Sequence, residues 1–109
     1  MGHVVNCPSG YNKGMVIGAL EVQLRLHSCH SLKEKRSVVK GMIERIRRRF
    51  SVSCAEVGDL NTWQSATIGL ATVSNDSRVA ESVLTSVLEF IDSIVEAEAT
   101  TIARETITV

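Results

Sequence analysis

The run Ser31-Leu32-Lys33-Glu34-Lys35-Arg36, with the helix it opens through Phe50, constrains this chain more than any other stretch. Ser31 followed three residues later by Glu34 is a capping box. The Ser oxygen can accept from the Glu34 N–H, and the Glu34 carboxylate can reach back to an upstream N–H. Leu32, Val39, Met42, Ile43, Ile46 and Phe50 then recur at helical spacing and mark one apolar face. At about 100° per residue, Lys33, Arg36, Lys40 and Arg47 fall within roughly 60° of one another beside that face. Arg48 and Arg49 crowd the last turn, where cations suit the negative end of the helix dipole. That end accommodates one or two such charges, yet eight cations lie between Lys33 and Arg49. Two readings stand at even weight: a solvated charged face, and an anion-binding face made by Lys33, Lys35, Arg36, Lys40, Arg47 and Arg48. Lys35 falls inside the apolar arc, so its stem is expected to lie on the core with the ammonium extended outward.

The cation row matters more once charge is divided along the chain. Formal net charge is zero, but residues 1–54 carry ten Lys and Arg against three Asp and Glu, a surplus of seven. Residues 55–109 carry two against nine, the same surplus with the opposite sign. A basic region could meet a polyanion while the acidic remainder limits non-specific attachment; alternatively the two halves attract each other's flanks.

Around this helix the chain alternates. Val16 to Leu26 places Leu20, Val22, Leu24 and Leu26 on one side and Glu21, Gln23 and Arg25 on the other, which predicts a strand with one buried face. Ser51 to Val57 predicts a second strand, ended by Gly58-Asp59-Leu60-Asn61. Ser65 to Val73 predicts a third, with Ala66, Ile68 and Leu70 on one face. Ser74-Asn75-Asp76-Ser77 is a cluster of cap residues before a second helix from about Arg78 to Ser93. Its apolar side is read as Val79, Val83, Val87, Phe90, Ile91 and Ile94. Ala99 to Val109, rich in Thr and Ile, predicts the last strand. The order β-α-β-β-α-β, with two one-sided helices, predicts an α+β ferredoxin-like plait: a four-stranded antiparallel sheet with both helices on one face. The other face, with Ile17, Ala19, Glu21, Gln23, Arg25, Thr67, Gly69 and Ala71, is left open, as a homodimer face, a docking surface or a plain exposed face.

Residues 1–14 show no periodicity and hold the only Pro. They read as an extension, natural or added, outside a single domain at 15–109, and are expected to be poorly ordered. Met15 is a candidate start. Three cysteines, an odd number, with no secretory leader point to reduced thiols in a cytoplasm. No apolar run reaches the ~20 residues a membrane span needs.

Chemistry is weakly signalled, and no enzyme, cofactor or metal site is expected. His27, Cys29 and His30 lack the second ligand pair of a zinc site. Glu56 and Asp59 are two carboxylates across a turn, too few to specify a cation. Cys54 reads as a small core residue, and no glycine-rich phosphate loop joins a strand to a helix. Trp63 and Gln64 are candidates for partner binding. The plainer expectation is that Trp63 seals the end of the core; the alternative is a platform on which a base stacks.

Taken together, Ser31–Arg36, Phe50-Ser51-Val52-Ser53, Glu56-Val57-Gly58, Thr62-Trp63-Gln64 and Ile68-Gly69-Leu70-Ala71-Thr72-Val73-Ser74 resemble the YlxP-like family of small bacterial proteins of unknown function. The likeness runs from Met15 to about Asp92. It implies a ferredoxin-like fold. Because the family's genes often sit beside those for translation initiation and ribosome maturation, it also implies a role near the ribosome. In that family an Arg usually follows the Thr-Trp-Gln motif and an acidic residue precedes it. Here those positions hold Ser65 and Asn61, so any site built on them is altered. The expected function is therefore a non-enzymatic RNA- or ribosome-associated factor that binds through its basic first helix. The alternative is a dimeric interaction module using the open sheet face.

Overall fold

A computed structural model describes residues 14–94 and 97–109. Strand β1 (Val16–Arg25) leads to helix α1 (Leu32–Arg49), strands β2 (Ser53–Gly58) and β3 (Ser65–Ser74), helix α2 (Ser77–Asp92) and strand β4 (Glu98–Thr108). The four strands form one antiparallel sheet in the order β2-β3-β1-β4. This is the ferredoxin-like plait that the periodicity predicts. The expectation for residues 1–14 falls, except at Gly14, outside the described residues.

β1 is a central strand, paired with β3 on one edge and β4 on the other, and its alternation gives it one buried face. Val16, Leu20, Val22 and Leu24 point to the helices and are buried, while Glu21, Gln23 and Arg25 point away and are exposed. From α1, Val39, Met42 and Ile46 meet this surface; from α2, Leu84, Val87 and Ile91 do. Cys54, Ala66, Ile68 and Leu70 complete the core from β2 and β3. Gly18 allows α2 to approach: a Cβ there would stand 3.2 Å from both Leu84 Cδ1 and Thr72 Cγ2.

The second helix is rotated from its expected setting. Val79, read as apolar-side, is 51% exposed, and Ala80 and Leu84 are buried instead. Val79 and Val83 are one turn apart and look like the start of a stripe. The stripe that packs is Ala80-Leu84-Val87-Ile91, because burial on the sheet is decided by the central turns rather than by the first. β4 is an edge strand with a bulge where its partner shifts between Glu21 and Val22. Arg104 ties it to α2, donating to the Glu81 carbonyl at 3.0 Å and to Thr85 Oγ1 at 2.9 Å.

Candidate functional site: the first turn of α1 and the loop it holds

The capping box forms. Ser31 Oγ accepts from the Glu34 N–H at 3.1 Å. The Glu34 carboxylate reaches one residue further back than the usual box, accepting from the His30 N–H at 2.7 Å. The start of α1 is thereby fixed at Leu32, which determines where each following cation points.

Lys35 does not extend to solvent as expected. Its residue is 0% exposed, and its Nζ lies 2.8 Å from Glu56 Oε2 on β2. The same ammonium donates to the carbonyl of Asp59, in the loop between β2 and β3. The reason is angular. Lys35 lies on the sheet-facing arc of α1, one turn before Val39, so its stem enters the core and its charge must find a partner there. Glu56 Oε2 is buried and finds no other polar partner among the described residues. Lys35 therefore leaves the set of candidate nucleic-acid contacts, and Glu56 leaves the set of candidate cation ligands.

The loop is held from the other side as well. Asp59 takes the left-handed backbone conformation, φ 59°, which Asp tolerates better than most residues. Its Oδ2 accepts from Ser65 Oγ at 2.9 Å, Thr67 Oγ1 at 3.2 Å and Gln23 Nε2 at 3.3 Å. The bonds from Ser65 and Gln23, then that from Thr67 and the nearby Lys35 charge, hold the Asp59 carboxyl below the usual carboxylate range. Ser65 is thus part of the clasp on Asp59. The Thr62 N–H returns to the Asp59 carbonyl at 3.1 Å, and Gln64 is bound to the β1–α1 connection through Leu26 N at 2.9 Å and the Cys29 carbonyl at 3.4 Å.

Trp63 sits on this clasped loop. It does not seal the core: it is 46% exposed, with Leu60 exposed on the same connection. The core end is closed instead by Leu26 and Cys29, both buried. The outcome is the alternative weighed from the sequence, an exposed Trp63, on a loop whose Asp59 carbonyl accepts from Lys35.

The remaining cations divide. Arg47 Nη2 donates to the Cys54 carbonyl on edge strand β2 at 2.6 Å, blunting that edge while leaving further N–H donors. Arg45 and Arg49 lie over the Phe90 ring, with guanidinium carbons 5.8 and 4.8 Å from its centroid. Lys33, Arg36, Lys40 and Arg48 are exposed, and none forms an ion pair among the described residues. They run about 22 Å along the helix. Glu44 is the acidic residue within the row. Neither the cysteine nor the histidine candidates assemble into a reactive group. Cys54 is buried, and burial, only partly offset by the Arg47 charge, pushes its thiol up to about 11. His27 pairs with Glu98 at 3.0 Å. No cluster of three metal-ligating side chains occurs among the described residues. No described helix is long and apolar enough to cross a membrane.

Replacing Lys35 by Ala leaves the Glu56 carboxylate buried and unpaired, and we expect a loss of about 3–5 kcal/mol in chemical denaturation. Lys35→Met combined with Glu56→Leu should recover most of that loss, because an apolar pair of similar volume removes both charges. A Lys35→Ala loss under 1 kcal/mol would contradict the buried pair.

Residues 17–104 match the model of the family described as "Protein of unknown function (DUF503)". The chain is also similar to the uncharacterized protein YlxP of Bacillus subtilis (strain 168), at 41% identity over 85 residues, spanning 78% of this chain and 92% of that protein. With the family model covering most of the plait, the chain belongs to the DUF503 family, to which the YlxP-like motifs at Ser31–Arg36 and Thr62–Gln64 point.

Proposed function

We propose that this protein is a non-enzymatic factor that binds RNA, in a ribosomal setting, through the outer flank of α1. The observation that carries the reading is the row of Lys33, Arg36, Lys40 and Arg48, exposed along one helix and without an ion pair among the described residues. Unpaired cations at helical spacing suit a phosphate backbone, whose recognition needs charge and reach rather than base-specific geometry. Lys35 and Arg47 support the row from within: one fixes the helix on the sheet, the other fixes its far end on β2. The family's gene neighbourhood favours RNA over other polyanions. The non-enzymatic part is supported by how the reactive candidates are used, with Glu56 paired, Asp59 clasped and Cys54 buried. Free thiols at Cys29 and Cys54 suit a reducing cytoplasm.

Fluorescence anisotropy with labelled RNA at two salt concentrations tests the reading. Affinity should fall with salt by about 0.9 log units per log unit of salt for each duplex phosphate neutralised. The triple variant Lys33→Glu, Arg36→Glu, Lys40→Glu should abolish binding and leave the melting temperature close to the parent's, since all three side chains are exposed. Salt-independent binding, or none by folded protein, overturns it.

A second reading, self-association through the open sheet face, is favoured by one observation. Val73 and Ile107 are exposed on either side of Ile17, in register across three strands. Beside them a trough of about 690 Å3 is floored by Ala19, Ala55, Gly69, Ala71 and Ala103. Light scattering at high protein concentration decides it: a dimer that Val73→Glu splits supports the reading, and a monomer sinks it.

A further inference from the structure

We propose that Trp63 is a base-stacking platform, and that the strand it grips is single-stranded RNA whose phosphates continue onto Lys33 and Arg36. The inference rests on the polyanion-binding reading of α1 and adds the class of nucleic acid. Three observations carry it.

The first is exposure on a rigid support. Trp63 is the only Trp of the chain, and nearly half its surface is open. An exposed indole on a mobile loop would lose ordering entropy on binding. This one is preorganised by the Asp59 clasp, by the Thr62 return to the Asp59 carbonyl and by the two bonds to Gln64. The second is placement. The ammonium of Lys35 reaches the carbonyl of Asp59 in the Trp63 loop, and Lys33 and Arg36 stand exposed within two residues of Lys35 at the start of α1. The aromatic and the first cations of the row therefore share one end of the molecule. The third is a hollow on the same loop. Thr62 and Gln64, the neighbours of Trp63 in sequence, line a polar hollow of about 500 Å3 together with Gln23, Arg25, His27 and Glu98, while the indole itself lies outside that lining. Amide and guanidinium groups there can meet a neighbouring nucleotide of a strand whose base rests on Trp63.

Charge alone does not explain an anion at this end. Glu34, Glu56, Asp59 and Glu98 are all nearby, so the local surplus of cations is small. Stacking supplies the grip here, and the α1 row supplies phosphate contacts further along. Duplex RNA offers no free base face to the indole, whereas a single strand does.

The test uses the full chain with two probes: a single-stranded RNA of about a dozen nucleotides and a duplex of the same length. With a single Trp in the chain, fluorescence excited at the red edge of the indole band, where Tyr11 does not absorb, reports Trp63 alone. Single-stranded RNA should quench it in a saturable way, and Trp63→Ala should weaken that binding about 5- to 100-fold. Trp63→Phe should retain most of the affinity, and duplex binding should change little in either variant. Unchanged fluorescence at saturating single-stranded RNA, or Trp63→Ala binding as tightly as the parent, overturns the inference and leaves the α1 reading standing. Failure of the parent to bind either RNA overturns both.

Discussion

The ammonium of Lys35 is the point on which the molecule turns. It comes from the first turn of α1, meets the carboxylate of Glu56 on β2, and holds the carbonyl of Asp59 in the following loop. Three consecutive elements are joined by one buried cation. Such a pair adds little net stability over an apolar pair of the same volume, because both ions lose their hydration. Its effect is positional. A hydrophobic contact would let α1 slide or rotate on the sheet, whereas a charge that must face its partner fixes helix, strand and loop together.

Position then determines what the surface presents. Because Lys35 faces inward, Lys33, Arg36 and Lys40 face outward on the opposite arc of the same helix. Because the loop is drawn down at Asp59, Trp63 and Leu60 stand out from it. The six-residue motif at the helix start thus divides by role. Ser31 and Glu34 cap, Lys35 joins, and Lys33 and Arg36 remain exposed. Four of the six residues are engaged in folding or half-buried, and Lys33 and Arg36 are left exposed.

The fold was legible because its signals are local. Alternation in Val16–Leu26 and in Ala66–Leu70, the capping box at Ser31, and the cap cluster Ser74–Ser77 each mark their element without reference to the rest. What failed to read locally was side-chain direction where two elements compete. Lys35 looks like a snorkelling lysine until Glu56 is known to lie beneath it, and the two are far apart in sequence. Val79 looks like the start of a stripe that Leu84 in fact continues from Ala80. Trp63, after a polar turn at the start of the third strand, reads either as a seal on the core end or as an exposed platform, and the Lys35 contact that holds its loop comes from α1. The candidate site was legible as a row of cations, but not which of them are already engaged. Arg47, Arg45 and Arg49 are assigned by Cys54 and Phe90, residues to which no spacing rule connects them.

The division between an internal Lys35 and external Lys33 and Lys40 can be measured directly by nitrogen-detected NMR of the lysine ammonium groups at neutral pH. The account predicts a Lys35 signal protected from hydrogen exchange, with a contact to the Glu56 side chain, while Lys33 and Lys40 exchange too fast to be seen. Exchange of Lys35 as fast as that of Lys33 would contradict it, because the loop bearing Trp63 would then have no internal charge to hold it.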